Sequence, residues 1–257
     1  MPSRWKRITV ELKQPRADSY PVYIGTDVLD NLPALIGEHS PADGCVVISD
    51  STVNPLYGDK VTGKLRRLDV PVDTIEIRAG ETSKTIGTVV DMVGRLVTLD
   101  ASRQSLLIAL GGGVVGDLTG FVASVYKRGI GYIQIATSLI AQVDSSLGGK
   151  TGVDLPEGKN LVGTFYHPKA VLIDPSFLNT LSRREFQNGL SEVIKYAIIA
   201  DEELFQLMMT RSDDILSRQT DLMHRLVERS CRIKADIVEA DEQEGDLRRI
   251  LNFGHTV

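Results

Sequence analysis

Cysteine is nearly missing from this sequence, with Cys45 and Cys231 the two in 257 residues. They lie too far apart to suggest a disulfide framework or a cysteine-built zinc finger, and a reducing cytoplasm is the expected setting. An excess of positive charge is missing too. With 29 Lys+Arg against 34 Asp+Glu the net charge is -5, so the chain as a whole attracts neither nucleic acid nor an anionic membrane, and any role for cations is local. No stretch approaches the roughly 18 consecutive apolar residues of a membrane span. The opening Met-Pro-Ser-Arg-Trp-Lys-Arg runs into polar alternation rather than the apolar core of a secretory signal. Neither a repeat nor a low-complexity linker interrupts the chain. What is there is ordinary: 42% hydrophobic and 25% charged residues suit a soluble globular protein with a sizeable core, and the length allows one large domain or two smaller ones.

Apolar patterning marks short strands at 7–12, 22–24, 45–49 and 74–77, with helical spacing at 27–36 and 82–98 between them. The run 105–110 is almost wholly apolar, meets Gly111-Gly112-Gly113, and gives way to a helical segment over 114–126. Strands read this way when helices cover both faces of a parallel sheet. A further strand at 132–135 leads to a second glycine-bearing turn, Ser145-Ser146-Leu147-Gly148-Gly149-Lys150. Past Asp174-Pro175 helical periodicity takes over, and Ser182-Arg183-Arg184-Glu185 fits a capping box. An α/β domain over 1–180 and a mainly α-helical domain over 181–257 are therefore expected. The sequence stops at Asn252-Phe253-Gly254-His255-Thr256-Val257 without a helix stop signal or a polar tail, which predicts an ending inside an element and an incomplete second domain.

Three constellations carry chemistry. Gly111-Gly112-Gly113-Val114-Val115-Gly116-Asp117 satisfies G-x-G-x-x-G between a strand and a helix, the place where backbone N–H groups and the helix dipole receive a pyrophosphate; a plain tight turn is the alternative. The ribose-binding acid expected about 20 residues later in such a unit is missing, and Asp50, ending the strand 45–49, is the substitute candidate, or else a turn aspartate. Next, Asp144-Ser145-Ser146-Leu147-Gly148-Gly149-Lys150-Thr151 nearly spells a P-loop, but an anion stands where its first glycine belongs. With Gly158-Lys159-Asn160 it reads as a loop offering two lysines and an amide to an anionic ligand, or as solvated surface lysines. Third, on a helix over 213–240 the stripe Met223, Leu226, Val227, Cys231, Ile237, Val238 includes Lys234. An inward lysine calls for an anionic partner unless it snorkels to the surface. Arg248, Asn252 and His255 fall on one helical face and suggest a polar cleft. Glu192 and Lys195 stand three apart, ordinarily a weak surface pair. Of the histidines, His39, His167 and His224 read as structural, and His255 with Glu192 gives two metal donors, which do not by themselves make a zinc site.

In combination these segments resemble the 3-dehydroquinate synthases. The match runs through Gly80-Glu81-Thr82-Ser83-Lys84, 111–117, Ala141-Gln142-Val143-Asp144-Ser145-Ser146, Gly148-Gly149-Lys150-Thr151-Gly152, Gly158-Lys159-Asn160, Glu192-Val193-Ile194-Lys195-Tyr196 and Leu251-Asn252-Phe253-Gly254-His255-Thr256. The resemblance implies a Rossmann-like NAD-binding α/β domain followed by a helical metal-binding domain, similar to the glycerol dehydrogenase fold. It implies conversion of 3-deoxy-D-arabino-heptulosonate 7-phosphate to 3-dehydroquinate and phosphate, with catalytic NAD+ and a divalent metal, Zn2+ or Co2+, and with the departing phosphate as a base for its own elimination. By motif position NAD+ meets Asp50, Glu81, Lys84, Gly112, Gly113, Val114, Asp117, Thr137, Ser138, Asp144, Lys159, Phe177, Thr180 and Glu185. The metal takes Glu192 and His255. Substrate anions meet Arg128, Lys150, Asn160, Lys195, Lys234, Arg248 and Asn252. A cytoplasmic homodimer acting on a small sugar phosphate is implied, with no nucleic acid or membrane partner. The sequence departs from the family pattern in Ala136-Thr137-Ser138-Leu139, where Pro-Thr-Thr-Leu is usual, and in Tyr196-Ala197 for Tyr-Gly. Family chains also continue past this end, to a further metal histidine and another near the phosphate. The alternatives are a sibling cyclase making aminodehydroquinate, 2-deoxy-scyllo-inosose or a valiolone, a glycerol-type dehydrogenase with net redox turnover, and an inactive NAD-binding fragment.

Overall fold

The structure is a computed structural model that describes residues 19–242 and 244–254. The strand expected at 7–12 and His255 lie outside the described residues. Among the described residues six strands form one parallel sheet: β1 (Val22–Ile24), β2 (Cys45–Asp50), β3 (Val72–Ile77), β4 (Leu106–Gly111), β5 (Tyr132–Ala136) and β8 (Val171–Ile173), in the order β1-β8-β5-β4-β2-β3. The apolar runs fall in its middle, and the register sets Ile48 beside Ile75 and Ala109, and Ile108 beside Ile133.

Helices cover both faces. On one, Leu32 and Ile36 of α1 (Leu32–His39) and Val61 and Leu65 of α2 (Asn54–Leu65) pack on Val47 and Ile108. On the other, Val89, Met92 and Leu96 of α3 (Ile86–Thr98) join Leu118 and Val122 of α4 (Gly113–Val125) over Ile48 and Leu107. The spacing of the α3 residues explains why that helix was legible. α2 was not, because Gly58, Gly63 and its polar residues dilute the apolar face. The expected helices at 27–36 and 82–98 start instead as single 3-10 turns, Val28–Asn31 and Glu81–Ser83.

Two expectations need larger corrections. The anion-binding loop through Lys150, Lys159 and Asn160 is an antiparallel hairpin, β6 (Lys150–Leu155) paired with β7 (Gly158–Phe165). Thr151, Val153, Val162 and Thr164 supply the strand-forming positions that the neighbouring glycines obscured. The helix expected over 213–240 breaks into α7 (Ser212–Leu216) and α8 (Thr220–Ala240). Between them Arg218 adopts a left-handed backbone with φ 60 and donates from its guanidinium to the carbonyls of Leu178 and Leu181.

The Ser182 cap of the expected capping box is formed. Ser182 caps α5 (Arg183–Ala200) by accepting the Glu185 N–H at 3.2 Å, and α6 (Glu202–Thr210) follows. Phe186, Val193, Tyr196, Met223 and Leu226 share one core with Ala136, Val171 and Ile173 of the sheet. Among the described residues no helix is long and apolar enough to cross a membrane.

Candidate functional site

The sheet order reverses between β2 and β4: β2 leads to β3 on one side, β4 to β5 on the other. A crevice opens at the carboxyl ends of strands at such a reversal. Asp50 and Gly111-Gly112-Gly113 stand at those ends. α4 starts on Gly112 without a side-chain cap, so its first N–H groups face the crevice with the positive end of the helix dipole. A Cβ on Gly116 would lie 2.1 Å from Gln134 Nε2, so the third glycine of the motif allows α4 to lie against β5. Ser138 Oγ stands 3.1 Å from where a Cβ on Gly112 would be, Ser145 Oγ 3.0 Å from one on Gly113, and Thr137 N–H donates to Gly111 O at 3.0 Å. Ser145 Oγ is buried without a hydrogen-bond partner among the described residues, an orphan that a ligand can satisfy. Asp50 Oδ1 accepts the N–H groups of Thr52 and Val53 at 2.8 and 2.9 Å; it is a turn aspartate at the ligand position.

Beside this crevice lies a cavity of about 610 Å³, walled by the hairpin, α8 and the 3-10 helix Leu247–Asn252. It gathers Lys150, Asn160, Lys195, Lys234, Arg248 and Asn252, and also Asp117 and Asp144. Lys234 does face inward. It donates to Asp144 Oδ1 at 2.7 Å and to the Asp144 carbonyl at 2.5 Å, and the Tyr196 hydroxyl donates to the same carboxylate at 2.7 Å. Burial by itself would push the Asp144 carboxyl up, but the charge and hydrogen bond of Lys234, the Tyr196 hydroxyl and the Lys195 charge outweigh it and hold the group well below the usual range. Asp144, expected at the cofactor, thus serves directly as counter-ion to Lys234. Lys195 is buried against Glu192, not the surface pair its spacing suggested. Lys150 is paired with Glu244.

Arg248 is 2% exposed, and its guanidinium hydrogen bonds go to the carbonyls of Gly148 and Glu242. Its backbone is set by Asp241, whose carboxylate collects the N–H groups of Arg248, Asp246 and Gly245 and is drawn down to about 2 by them. The helical face expected for Arg248 and Asn252 is not formed, and His255 lies outside the described residues. A 3-10 helix, at about three residues per turn, turns Asn252 away from Arg248, and Phe253 leaves helical geometry with ψ 128.

Between crevice and cavity, Lys84 is buried and donates to Asn160 Oδ1 and to Asp117 Oδ2, each at 2.6 Å. Burial pushes the Asp117 carboxyl up to about 6 in spite of Lys84. Further out, exposed Lys159 pairs with Glu81 at 2.9 Å. Phe177 packs on Tyr57, whose hydroxyl meets Thr180 Oγ1 at 2.6 Å; Val114 lies half-buried on α4, and Glu185 is exposed in the first turn of α5. Arg128 is not brought to the cavity, because it lies exposed beyond the C-terminal end of α4, whose opposite end faces the crevice.

For a divalent metal, Glu192 is the expected donor that is described, and its carboxylate already holds Lys195. Among the described residues no group of three or more His, Cys, Asp or Glu side chains could hold an ion, so these residues alone do not fit a metal. Sequence reasoning missed Tyr196 as a partner of Asp144, the orphaned Ser145 and Glu244 on Lys150. Each pairing depends on long-range folding, and no spacing rule signals it.

Family models describe the same chain in two parts: the N-terminal part of 3-dehydroquinate synthase matches residues 74–188 and the C-terminal part residues 189–257. A curated 3-dehydroquinate synthase of Acidithiobacillus ferrooxidans (strain ATCC 53993 / BNL-5-31) is 47% identical over 238 residues, 93% of this chain and 65% of the relative. The chain thus spans 65% of that relative's length. Among solved structures, the 2-epi-5-epi-valiolone synthase ValA of Streptomyces hygroscopicus subsp. jinggangensis 5008, with NAD+ and Zn2+ bound, has a TM-score of 0.85 at 33% identity, covering 98% of this chain and 68% of its own. A 2-deoxy-scyllo-inosose synthase complexed with carbaglucose-6-phosphate, NAD+ and Co2+ has a TM-score of 0.82 at 28% identity, covering 91% and 63%. The chain belongs to the 3-dehydroquinate synthase family.

Proposed function

We propose that this chain carries the cofactor crevice and the anion cavity of a 3-dehydroquinate synthase, converting 3-deoxy-D-arabino-heptulosonate 7-phosphate to 3-dehydroquinate and phosphate. The observation that carries the reading is a cavity lined by Lys150, Lys195, Lys234 and Arg248, beside an uncapped helix N-terminus at the sheet reversal. Such a wall suits a ligand with both a phosphate and a carboxylate. The crevice fits NAD+: the N–H groups of 113–114 and the Ser145 hydroxyl would hold its pyrophosphate, with Lys84, Asp117, Thr137 and Ser138 around them and Glu81, Lys159, Phe177, Thr180 and Glu185 at the rim. When bound, NAD+ supplies a hydride acceptor for the substrate's C5 hydroxyl and returns the hydride later in the cycle.

The chain's own groups bind and orient. Arg248 and Lys150 anchor the anionic ends, Lys195 and Lys234 neutralise charge that develops as phosphate leaves, and Asn160 and Asn252 position hydroxyls. Asp144, Glu192 and Glu244 each sit on a lysine. Asp144 and Glu244 are held below the usual carboxylate range, which makes these two poor proton acceptors and supports the departing phosphate as the base. The zinc or cobalt of the solved cyclases would meet Glu192 and His255, with a further donor from outside this chain's described residues.

Net charge of -5 supports the absence of a nucleic acid or membrane partner and suits a cytoplasmic enzyme. The exposed stripe Ile86, Val90 and Val97 on α3 supports a homodimer. The test is phosphate release from the heptulosonate phosphate with NAD+ and zinc, by this chain and by one extended to the length of its relatives. Release with dehydroquinate as product is expected from the extended chain. Another ring product points to a sibling cyclase, accumulating NADH to a dehydrogenase, and NAD+ binding without release to a cofactor-binding remnant.

A further inference from the structure

A closed ring of contacts stands behind the cavity and ties the Gly148-Gly149 turn and Arg248 to Tyr20, His167 and Glu242, which no motif above includes. The Tyr20 hydroxyl accepts the Gly148 N–H at 2.9 Å. The Gly148 carbonyl accepts from both guanidinium nitrogens of Arg248 at 3.3 and 3.2 Å, and Arg248 also donates to the Glu242 carbonyl at 2.6 Å. The Glu242 carboxylate meets His167 Nε2 at 2.8 Å, and the His167 ring stacks on Tyr20 with centroids 5.4 Å apart. Apart from the local Arg248–Glu242 contact, each link joins segments far apart in sequence.

At the centre is the Gly148–Gly149 turn, with φ 91 and 68, a backbone that side chains other than glycine adopt only under strain. It is crowded as well: a Cβ on Gly148 would meet Arg248 at 2.2 Å, and one on Gly149 would meet His167 Nδ1 at 2.6 Å. The turn is therefore held from outside by Tyr20 and His167 while its inner carbonyl holds Arg248 and its next residue is Lys150. Burial pushes the Tyr20 phenol up, which keeps it neutral and able to accept the amide without adding a competing anion beside Arg248.

We propose that Tyr20 is a positioning residue for the anion cavity: by fixing the Gly148 peptide it sets where Arg248 and Lys150 present their charge, and so how tightly the site grips an anionic substrate. The proposal rests on reading that cavity as the substrate site. Tyr20→Phe keeps the stacked ring and removes only the hydrogen-bond acceptor, so the fold is retained. The expected result is faster hydrogen exchange at the Gly148 amide and about tenfold weaker binding of inorganic phosphate by calorimetry, the effect of one lost bond relayed to a charged group. NAD+ affinity stays near that of the parent, and in an Arg248→Lys background the same change has no further effect on phosphate. A purely structural tyrosine would act equally in both backgrounds; that result, or unchanged phosphate binding by Tyr20→Phe, overturns the role. A parent that binds no phosphate removes this reading together with the proposed function, whereas a parent that binds while Tyr20→Phe binds equally well removes this reading alone.

Discussion

The crevice and the cavity lie side by side but are made of different material. The crevice is mostly backbone: strand ends, glycines and the first N–H groups of α4. The cavity wall is mostly side chain, with cations drawn from β6, α5, α8 and the 3-10 helix near the end. A backbone site needs residues that stay out of the way, and it fails by crowding. A side-chain site needs every charge held by a partner, and it fails when a partner is removed and a buried charge is left behind.

The largest effect is expected from Lys234→Met, which strands the Asp144 carboxylate. Denaturant unfolding should show a loss of about 3–5 kcal/mol, and a loss under 1 kcal/mol would contradict the pairing. Gly116→Ala attacks the crevice by crowding Gln134 and should cost about 1–3 kcal/mol in the same assay. Function separates the regions more sharply. Lys195→Ala should weaken sugar-phosphate binding roughly 10- to 100-fold, the range for hydrogen bonds to charged groups, with NAD+ affinity unchanged. Gly113→Ala should do the reverse, and if both ligands respond to both changes the regions are one site. Titration gives a subtler contrast. The Asp117 carboxyl, pushed up to about 6, takes a proton in the folded protein as pH falls through 6, which the unfolded chain takes only near pH 4. Its contribution to stability therefore grows as pH drops through that window and fades as pH rises. Asp144 has the opposite sign: its contribution is present above its unfolded value and is lost only in stronger acid. Carboxyl NMR should find Asp117 near 6 and higher still in Lys84→Met; a value near 4 in the parent would refute the burial argument. The smallest effect belongs to Lys159→Ala at the exposed rim, where stability should not change measurably.

The same contrast explains what the sequence made legible. β4 and α4 could be read because an apolar run, three glycines and a helical stripe occur in consecutive residues. Lys234 could be read as inward, since helical period alone places it among Met223, Leu226 and Cys231. Its partner could not, because Asp144 reaches it only after α8 packs across the turn 141–145. The hairpin was hidden for a related reason. β7 is largely exposed, so burial imposes little alternation on it, and its glycines suggested a loop. Arg248 and Asn252 were rightly gathered at one cavity by a geometric argument that does not hold, since a 3-10 helix replaces the α-helix the spacing assumed.

Among the described residues β1 has one neighbour in the sheet, and that neighbour is β8. The strands β2, β3, β4 and β5 associate with partners from nearby chain, whereas among the described residues Val22 pairs with Val171, far along the chain. Long loop closure makes this a late event in folding, whether the chain refolds or emerges from the ribosome. Tyr20 lies just ahead of that strand, so its grip on Gly148 belongs to the same event. The segment from Tyr20 to Ile24, made well before β8, is thus placed only when β8 is there to receive it, and Arg248 is set in its final position when that segment docks.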